Sequence, residues 1–285
     1  MRFAKGHGTG NDFLILPDPD DAVALPAELV TRLCDRRFGL GADGILRAVR
    51  TGAAGPGAWF MDYRNADGSL AEMCGNGIRV FARYLLAHGL AGGPALVVQT
   101  RAGARQVWAG ADGSITVDVG AAEVLGSSAA VLGGVQCHGL EVSVGNPHLA
   151  CLVDHPVAGF DLSVPPVIDH ARFPAGVNVE VMRVIGARHL EMRVHERGSG
   201  ATLSCGTGAV AAAAAAQAAS AGHRAAAGMA RPAGTWTVDV PGGRLSVTLT
   251  ETTSLLTGPA VIVAEGELSA AWLAGQAAAA PSAVC

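Results

Sequence analysis

The chain has 285 residues, enough for one large domain or two modest ones with a substantial core. Half of the residues are hydrophobic, 15% are charged and mean hydropathy is +0.34, which excludes disorder as the general state. Twenty basic side chains against 24 acidic ones give a net charge of −4, so no broad surface for nucleic acid is expected.

In chain order, Met1 to His7 reaches glycine and polar residues before a signal-peptide core could form. The apolar run Ala209 to Ala216 is too short to cross a bilayer, so a cytoplasmic protein without membrane contact is expected. Ala58 to Tyr63 reads as a strand leading into Met73-Cys74-Gly75-Asn76-Gly77, and Ile78, Phe81, Ala82, Leu85 and Leu86 follow at helical spacing. Val97 to Trp108 reads as a hairpin turning at Arg101-Ala102-Gly103. The same succession then returns. Leu190 to Val194 is a strand, Ser204-Cys205-Gly206-Thr207-Gly208 a loop, Ala209 to Ala219 a helix, and Thr235 to Leu249 a hairpin turning at Pro241-Gly242-Gly243. Alanine on every face of the second helix points to close packing by sheet around it. A strand near 261–268 is expected to cross back to the first half, and 269–285 reads as a loosely held tail.

The repetition extends to single residues. Gly10-Asn11 and Arg37-Phe38 recur as Gly145-Asn146 and Arg172-Phe173, each at a shift of 135, while Cys74 and Cys205 lie 131 apart. Asn65 precedes Cys74 by nine residues, as Glu196 precedes Cys205. A duplicated unit follows: an α+β fold of two pseudo-twofold-related lobes, 1–121 and 122–260, each a sheet around a central helix.

In Cys-Gly-x-Gly at a strand-to-helix turn, the glycines allow a tight turn and close approach of a ligand. The helix start favours a thiolate and also binds a carboxylate. Two such sulfurs flanking one small anion suit inversion of a carbon centre, one thiolate taking the α-proton and the opposite thiol delivering another. The other cysteines, Cys34, Cys137 and Cys151, read as small core residues, and Cys285 receives no role. Scattered cysteines without CxxC, dispersed histidines and no HExxH leave no expected metal site or disulfide framework. Lys5 is the only lysine, so a pyridoxal phosphate Schiff base is not expected, and no cofactor is. Arg36-Arg37 and the acidic group Asp18, Asp20 and Asp21 read as surface charge. A binding or thiol-redox protein using the same two loops is the alternative from another class.

Gly8-Thr9-Gly10-Asn11-Asp12-Phe13, Tyr63-Arg64-Asn65-Ala66-Asp67-Gly68-Ser69, Met73 to Gly77, Gly145-Asn146-Pro147-His148, Gly176-Val177-Asn178-Val179, His195-Glu196-Arg197-Gly198 and Cys205 to Gly208 together resemble the diaminopimelate epimerase family, in order from residue 6 to about residue 265. The resemblance implies a cofactor-independent isomerase interconverting LL- and meso-2,6-diaminopimelate in lysine and cell-wall precursor biosynthesis, commonly a homodimer. It makes Cys205 the proton acceptor and Cys74 the donor in the LL-to-meso direction. Gly75, Asn76, Gly206 and Thr207 would hold the reacting α-carboxylate. Asn11, Asn65, Asn146, Asn178, Glu196 and Arg197 would grip the rest of the substrate, with His148 and Glu196 tuning the sulfurs. Gly44 departs from the family pattern, since some members carry glutamine there and glycine offers no side-chain contact. A relative of the same architecture acting on proline is the nearer rival, although its first loop resembles Met-Cys-Gly-His-Gly where this chain has Asn76.

Overall fold

A computed structural model of the protein describes residues 1–52, 58–220 and 233–278. The chain divides into two compact units, one of residues 1–8, 12–110 and 260–285, the other of residues 9–11 and 111–259.

The first unit contains β1 (Arg2–Gly8), β2 (Asn11–Pro17), α1 (Ala27–Cys34), β3 (Gly44–Thr51), β4 (Ala58–Asn65), α2 (Gly75–Ala87), β5 (Ala95–Thr100) and β6 (Gly103–Ala109). The second contains β7 (Ile115–Gly120), β8 (Glu123–Leu132), β9 (Val135–Ser143), β10 (Pro147–Leu152), β11 (Val167–Ile168), β12 (Asn178–Gly186), β13 (His189–Glu196), β14 (Gly200–Thr202), α3 (Gly206–Ser220), β15 (Gly234–Val240), β16 (Gly243–Leu249) and β17 (Ser254–Gly258). The chain then returns to the first unit as β18 (Val261–Glu267) and α4 (Ala270–Ala278).

Strand pairing repeats between the units. In the first, β18 lies antiparallel to β1, which pairs with β2; β2 is parallel to β3, β3 antiparallel to β4, β4 parallel to β5 and β5 antiparallel to β6. In the second, β8, β9, β10, β12, β13, β15 and β16 follow one another with the same alternation, β10–β12 and β13–β15 being the parallel pairs. A parallel pair needs a crossover connection, and in each unit the Cys-Gly-x-Gly turn and its helix supply the second one, between β4 and β5 and between β13 and β15.

Each crossover helix is the core of its unit. Helix α2 buries Ile78, Phe81 and Leu85 against β1, β3, β4, β5 and β18. Helix α3 buries Ala209 to Ala216 on all sides, and β8, β9, β10, β12, β13, β15, β16 and β17 pack around it. Its one long polar side chain, Gln217, accepts a hydrogen bond at 3.1 Å from the Trp236 indole, which satisfies both groups in the interior. The two hairpins form as expected, with turns between Thr100 and Gly103 and between Val240 and Gly243.

Three expectations are corrected. Residues 111–121 belong with the second unit, because β7 pairs antiparallel with β17 from Ile115–Gly258 to Gly120–Ser254. The start of the tail is α4, and Leu268 and Trp272 pack against a core of Leu14, Leu16, Val30, Leu33 and Ile45; residues 279–285, with Cys285, lie outside the described residues. Asp18 is buried rather than surface charge: it accepts from the amides of Ala22 and Val23 and pairs with Arg47 at 2.9 Å.

Candidate active site

In the first unit, β4 ends at Asn65, and a turn follows in which the Asn65 carboxamide donates to Ser69 Oγ at 2.9 Å. Gly68 closes that turn at φ +85°, a conformation glycine adopts without strain. The chain then reaches Cys74 in an extended conformation, and the thiol caps α2 by accepting from the Gly77 amide at 3.4 Å. Gly75 and Asn76 form the first helical positions, where amides lack intrahelical acceptors and the dipole is positive.

Beneath this turn lies Arg79, fully buried. Its guanidinium donates to the Gly75 carbonyl at 2.9 Å and to Asn76 Oδ1 at 2.8 Å, which fixes both residues that follow the cysteine. Burial lowers the Arg79 pKa to about 10, with the Cys74 sulfur acting in the opposite direction. Arg79 was not a sequence candidate. The signal was present, however: a lone charge amid Ile78, Val80, Phe81 and Ala82 needs a buried partner.

In the second unit, β13 ends at Glu196, and β14 returns the chain to Cys205 at the start of α3. The Cys205 sulfur is buried, 3.6 Å from Thr207 Oγ1. Burial, together with the carboxyls of Glu196 and Glu180, pushes the thiol pKa well up, while Thr207 and the Gly208 amide pull it down. Glu196 accepts from the Thr202 hydroxyl at 2.5 Å. Arg197 donates its backbone amide to Asn178 Oδ1 at 2.9 Å, and Asn178 Nδ2 donates to the Pro147 carbonyl at 3.3 Å. Parallel register places His148 beside Asn178, and Glu180 follows two residues on, pointing to the same face of β12. His148 Nδ1 is 2.7 Å from Glu180 Oε1, and Nε2 is 3.0 Å from Asn146 Oδ1. Asn146 in turn donates to Thr207 Oγ1 at 3.4 Å.

The second unit therefore gathers His148, Asn146, Asn178, Glu196, Arg197, Gly206, Thr207 and Cys205, and the first gathers Asn65, Cys74, Gly75 and Asn76. Asn11 goes with the second unit, although its place in the chain suggested the first. Thr9 donates its hydroxyl to Ser204, the residue before Cys205, at 2.7 Å. Gly10, at φ +81°, lies so close to Leu203 that a Cβ would come within 2.8 Å of its side chain. Glu180 was also missed by sequence reasoning, and its spacing of two from Asn178 was the available signal.

Two further observations bear on the chemistry. Lys5, the single lysine, pairs with Asp12 at 2.7 Å and donates to the Gly41 carbonyl, while Arg36 holds Asp12 and Asp43 at 2.7 and 2.8 Å. Arg36 is thus part of an ion-pair cluster and not merely solvated charge. Gly44 stands opposite Asn65 in the β3–β4 pair, where a Cβ would meet the Arg64 carbonyl oxygen at 2.5 Å and the Tyr63 ring at 2.8 Å. This backbone leaves no room for a side chain at position 44.

Comparison with known proteins shows what the chain is similar to. The family profile described as "Diaminopimelate epimerase" matches residues 3–125 and 140–263. A diaminopimelate epimerase of Thermobifida fusca is 56% identical over 94% of this chain and 98% of its own, and one of Mycobacterium ulcerans is 51% identical over 95% and 98%. Among solved structures, a PhzF-family phenazine biosynthesis protein of Bacillus anthracis superposes with a TM-score of 0.68 at 16% identity, covering 94% of this chain and 99% of that one. A probable proline racemase of Agrobacterium radiobacter reaches 0.65 at 16% identity, covering 94% and 93%. These structures share the fold alone. The sequence relatives and the profile carry more, and they show that the chain belongs to the diaminopimelate epimerase family.

Proposed function

We propose that this chain interconverts LL- and meso-2,6-diaminopimelate by a cofactor-independent two-base mechanism, as a cytoplasmic homodimer in the synthesis of lysine and cell-wall precursor. The observation that carries this reading is the pair of helix starts, each opened by Cys-Gly-x-Gly after the same succession of strands, in a chain 56% identical to a diaminopimelate epimerase.

Inversion needs a proton removed from one face of the α-carbon and another added to the opposite face. In the LL-to-meso direction Cys205 acts as the base and Cys74 as the acid, and the roles exchange in reverse. Removal of the α-proton builds negative charge onto the carboxylate. The amides of Gly75, Asn76, Gly206 and Thr207 stabilise that charge where it develops. Asn11, Asn65, Asn146, Asn178, Glu196 and Arg197 bind the remaining charged groups, with Arg197 suited to a carboxylate and Glu196 to an ammonium. His148 and Glu196 adjust the proton affinity of Cys205. No Schiff base enters the reaction, and the one lysine already serves the Asp12 ion pair.

Proton NMR of LL-diaminopimelate in D2O with reduced protein and no added cofactor tests the proposal. Loss of the α-proton signal with growth of the meso isomer is the expected result. Folded protein with free thiols that exchanges no α-proton would overturn it. Exchange of proline in place of diaminopimelate would keep the chemistry and overturn the substrate.

A further inference from the structure

Hydrogen bonds in the second unit form an unbroken chain from a buried carboxyl to the Cys205 sulfur: Glu180, His148, Asn146, Thr207, Cys205. Donor and acceptor roles along it are dictated by chemistry. Asn146 Oδ1 can only accept, so His148 Nε2 carries a hydrogen. Asn146 then presents its amide nitrogen to Thr207 Oγ1, which accepts. The Thr207 hydroxyl hydrogen is left to point at the sulfur. The opposite direction would require His148 Nε2 to be bare and Asn146 to be turned over, with the hydroxyl facing Asn146.

Glu180 sets the choice. Both it and His148 are fully buried, and Glu180 Oε2 has no hydrogen-bond partner among the described residues, so its hydrogen bond to His148 comes from Oε1. One proton lies between Oε1 and Nδ1. Burial of Glu180 raises its pKa and favours that proton on Oε1; Nδ1 then accepts it, and the neutral ring carries its hydrogen on Nε2. We infer that Glu180 is a positioning residue which, through His148 and Asn146, aims the Thr207 hydroxyl so that it donates to Cys205 Sγ. This inference rests on the reading of Cys205 as a proton-transferring thiol. The ionisable groups facing that sulfur are Glu196 from β13 and Glu180 from β12, with His148 from β10 behind Glu180; both carboxyls oppose a thiolate. A donated hydrogen bond is the local counterweight, and it lets a buried sulfur surrounded by carboxyls give up its proton.

The test is the pH dependence of alkylation by iodoacetamide, read by peptide mass spectrometry at Cys205 with the Cys74 peptide as internal control. Thr207→Val removes the donor, and the Cys205 inflection is expected to rise by about one pH unit while Cys74 is unmoved. Glu180→Leu should give the same rise, and the double variant no more than either alone. Glu180→Gln can still donate to His148 Nδ1 and is expected to restore the wild-type inflection. An unmoved inflection in Thr207→Val, or additive shifts in the double variant, would overturn the inference even where Glu180→Leu fails to fold. Alkylation requires no turnover, so failure of the epimerase reading would show separately, as absent α-proton exchange.

Discussion

The two units share a strand order, a crossover helix and a Cys-Gly-x-Gly turn, yet they surround their sulfurs with opposite charge. Under Cys74 lies the buried guanidinium of Arg79, bonded to the Gly75 carbonyl and Asn76. Around Cys205 stand the carboxyls of Glu196 and Glu180, offset by the Thr207 hydroxyl. Duplication has preserved the backbone frame while the buried charges diverged.

The largest effect expected from breaking the comparison is at the sulfurs themselves. Cys74→Ala and Cys205→Ala should each reduce inversion by about 10³-fold or more with thermal unfolding unchanged, since a missing acid is as damaging as a missing base. Near-native turnover in either, followed by NMR, would break the equivalence of the two halves.

Next in size is the buried cation beneath the Cys74 turn. Arg79→Met strips Asn76 Oδ1 of a buried donor and should lower stability by about 2 kcal/mol in urea denaturation. A lysine there would keep the charge but could not span both acceptors as the guanidinium fork does.

Equivalent glycines in the two helix starts sharpen the contrast. A Cβ on Gly208 would meet Glu180 Oε1 at 2.6 Å and the Cys205 Cβ at 3.1 Å, whereas one on Gly77 would meet Leu46 at 3.2 Å and the Cys74 Cβ at 3.4 Å. Gly208→Ala should therefore cost about 1–3 kcal/mol by overpacking, and Gly77→Ala clearly less. Equal denaturation midpoints would mean that Glu180 moves freely, which its burial against His148 argues against.

The smallest effect is on acid stability. Burial raises the Asp12 pKa, but Arg36 and Lys5 outweigh it and hold the carboxyl at about 2. Its folded value lies below the unfolded one of roughly 3.9, so the stabilisation is complete above that value and fades as pH falls towards 2. Between pH 7 and pH 3, Asp12→Asn should lose less of its urea midpoint than the wild type does.

Much of this was legible in the residues, for local reasons. Turn glycines mark both hairpins, and the doubled Cys-Gly-x-Gly marks both helix starts before any strand is placed. Long-range choices were not legible. Ile115 to Gly120 alternates like any strand, and only its partner Ser254–Gly258 assigns it to the second unit. Asn11 follows the first strand but goes with the second unit, where its neighbour Thr9 bonds the hydroxyl of Ser204 beside Cys205. The alanine-rich stretch after Ser269 lacks an amphipathic pattern, and the anchoring of its helix by Trp272 depends on a core assembled from residues 14 to 45. Glu180 and Arg79 carry a local signal, in the spacing from Asn178 and in the apolar neighbours Ile78, Val80, Phe81 and Ala82, but their partners are set only by the sheet and helix around them.

The pairing of β1 with β18 also bears on the order of folding. Arg2 stands opposite Glu267 and His7 opposite Val261, so β1 finds one of its neighbours only after residues 111–259 have been made. Residues 111–259 can close their own sheet meanwhile, every strand from β7 to β17 being already synthesised. Until residues 261–267 emerge, β1 keeps one open edge, the interval in which it is most exposed to pairing with another chain.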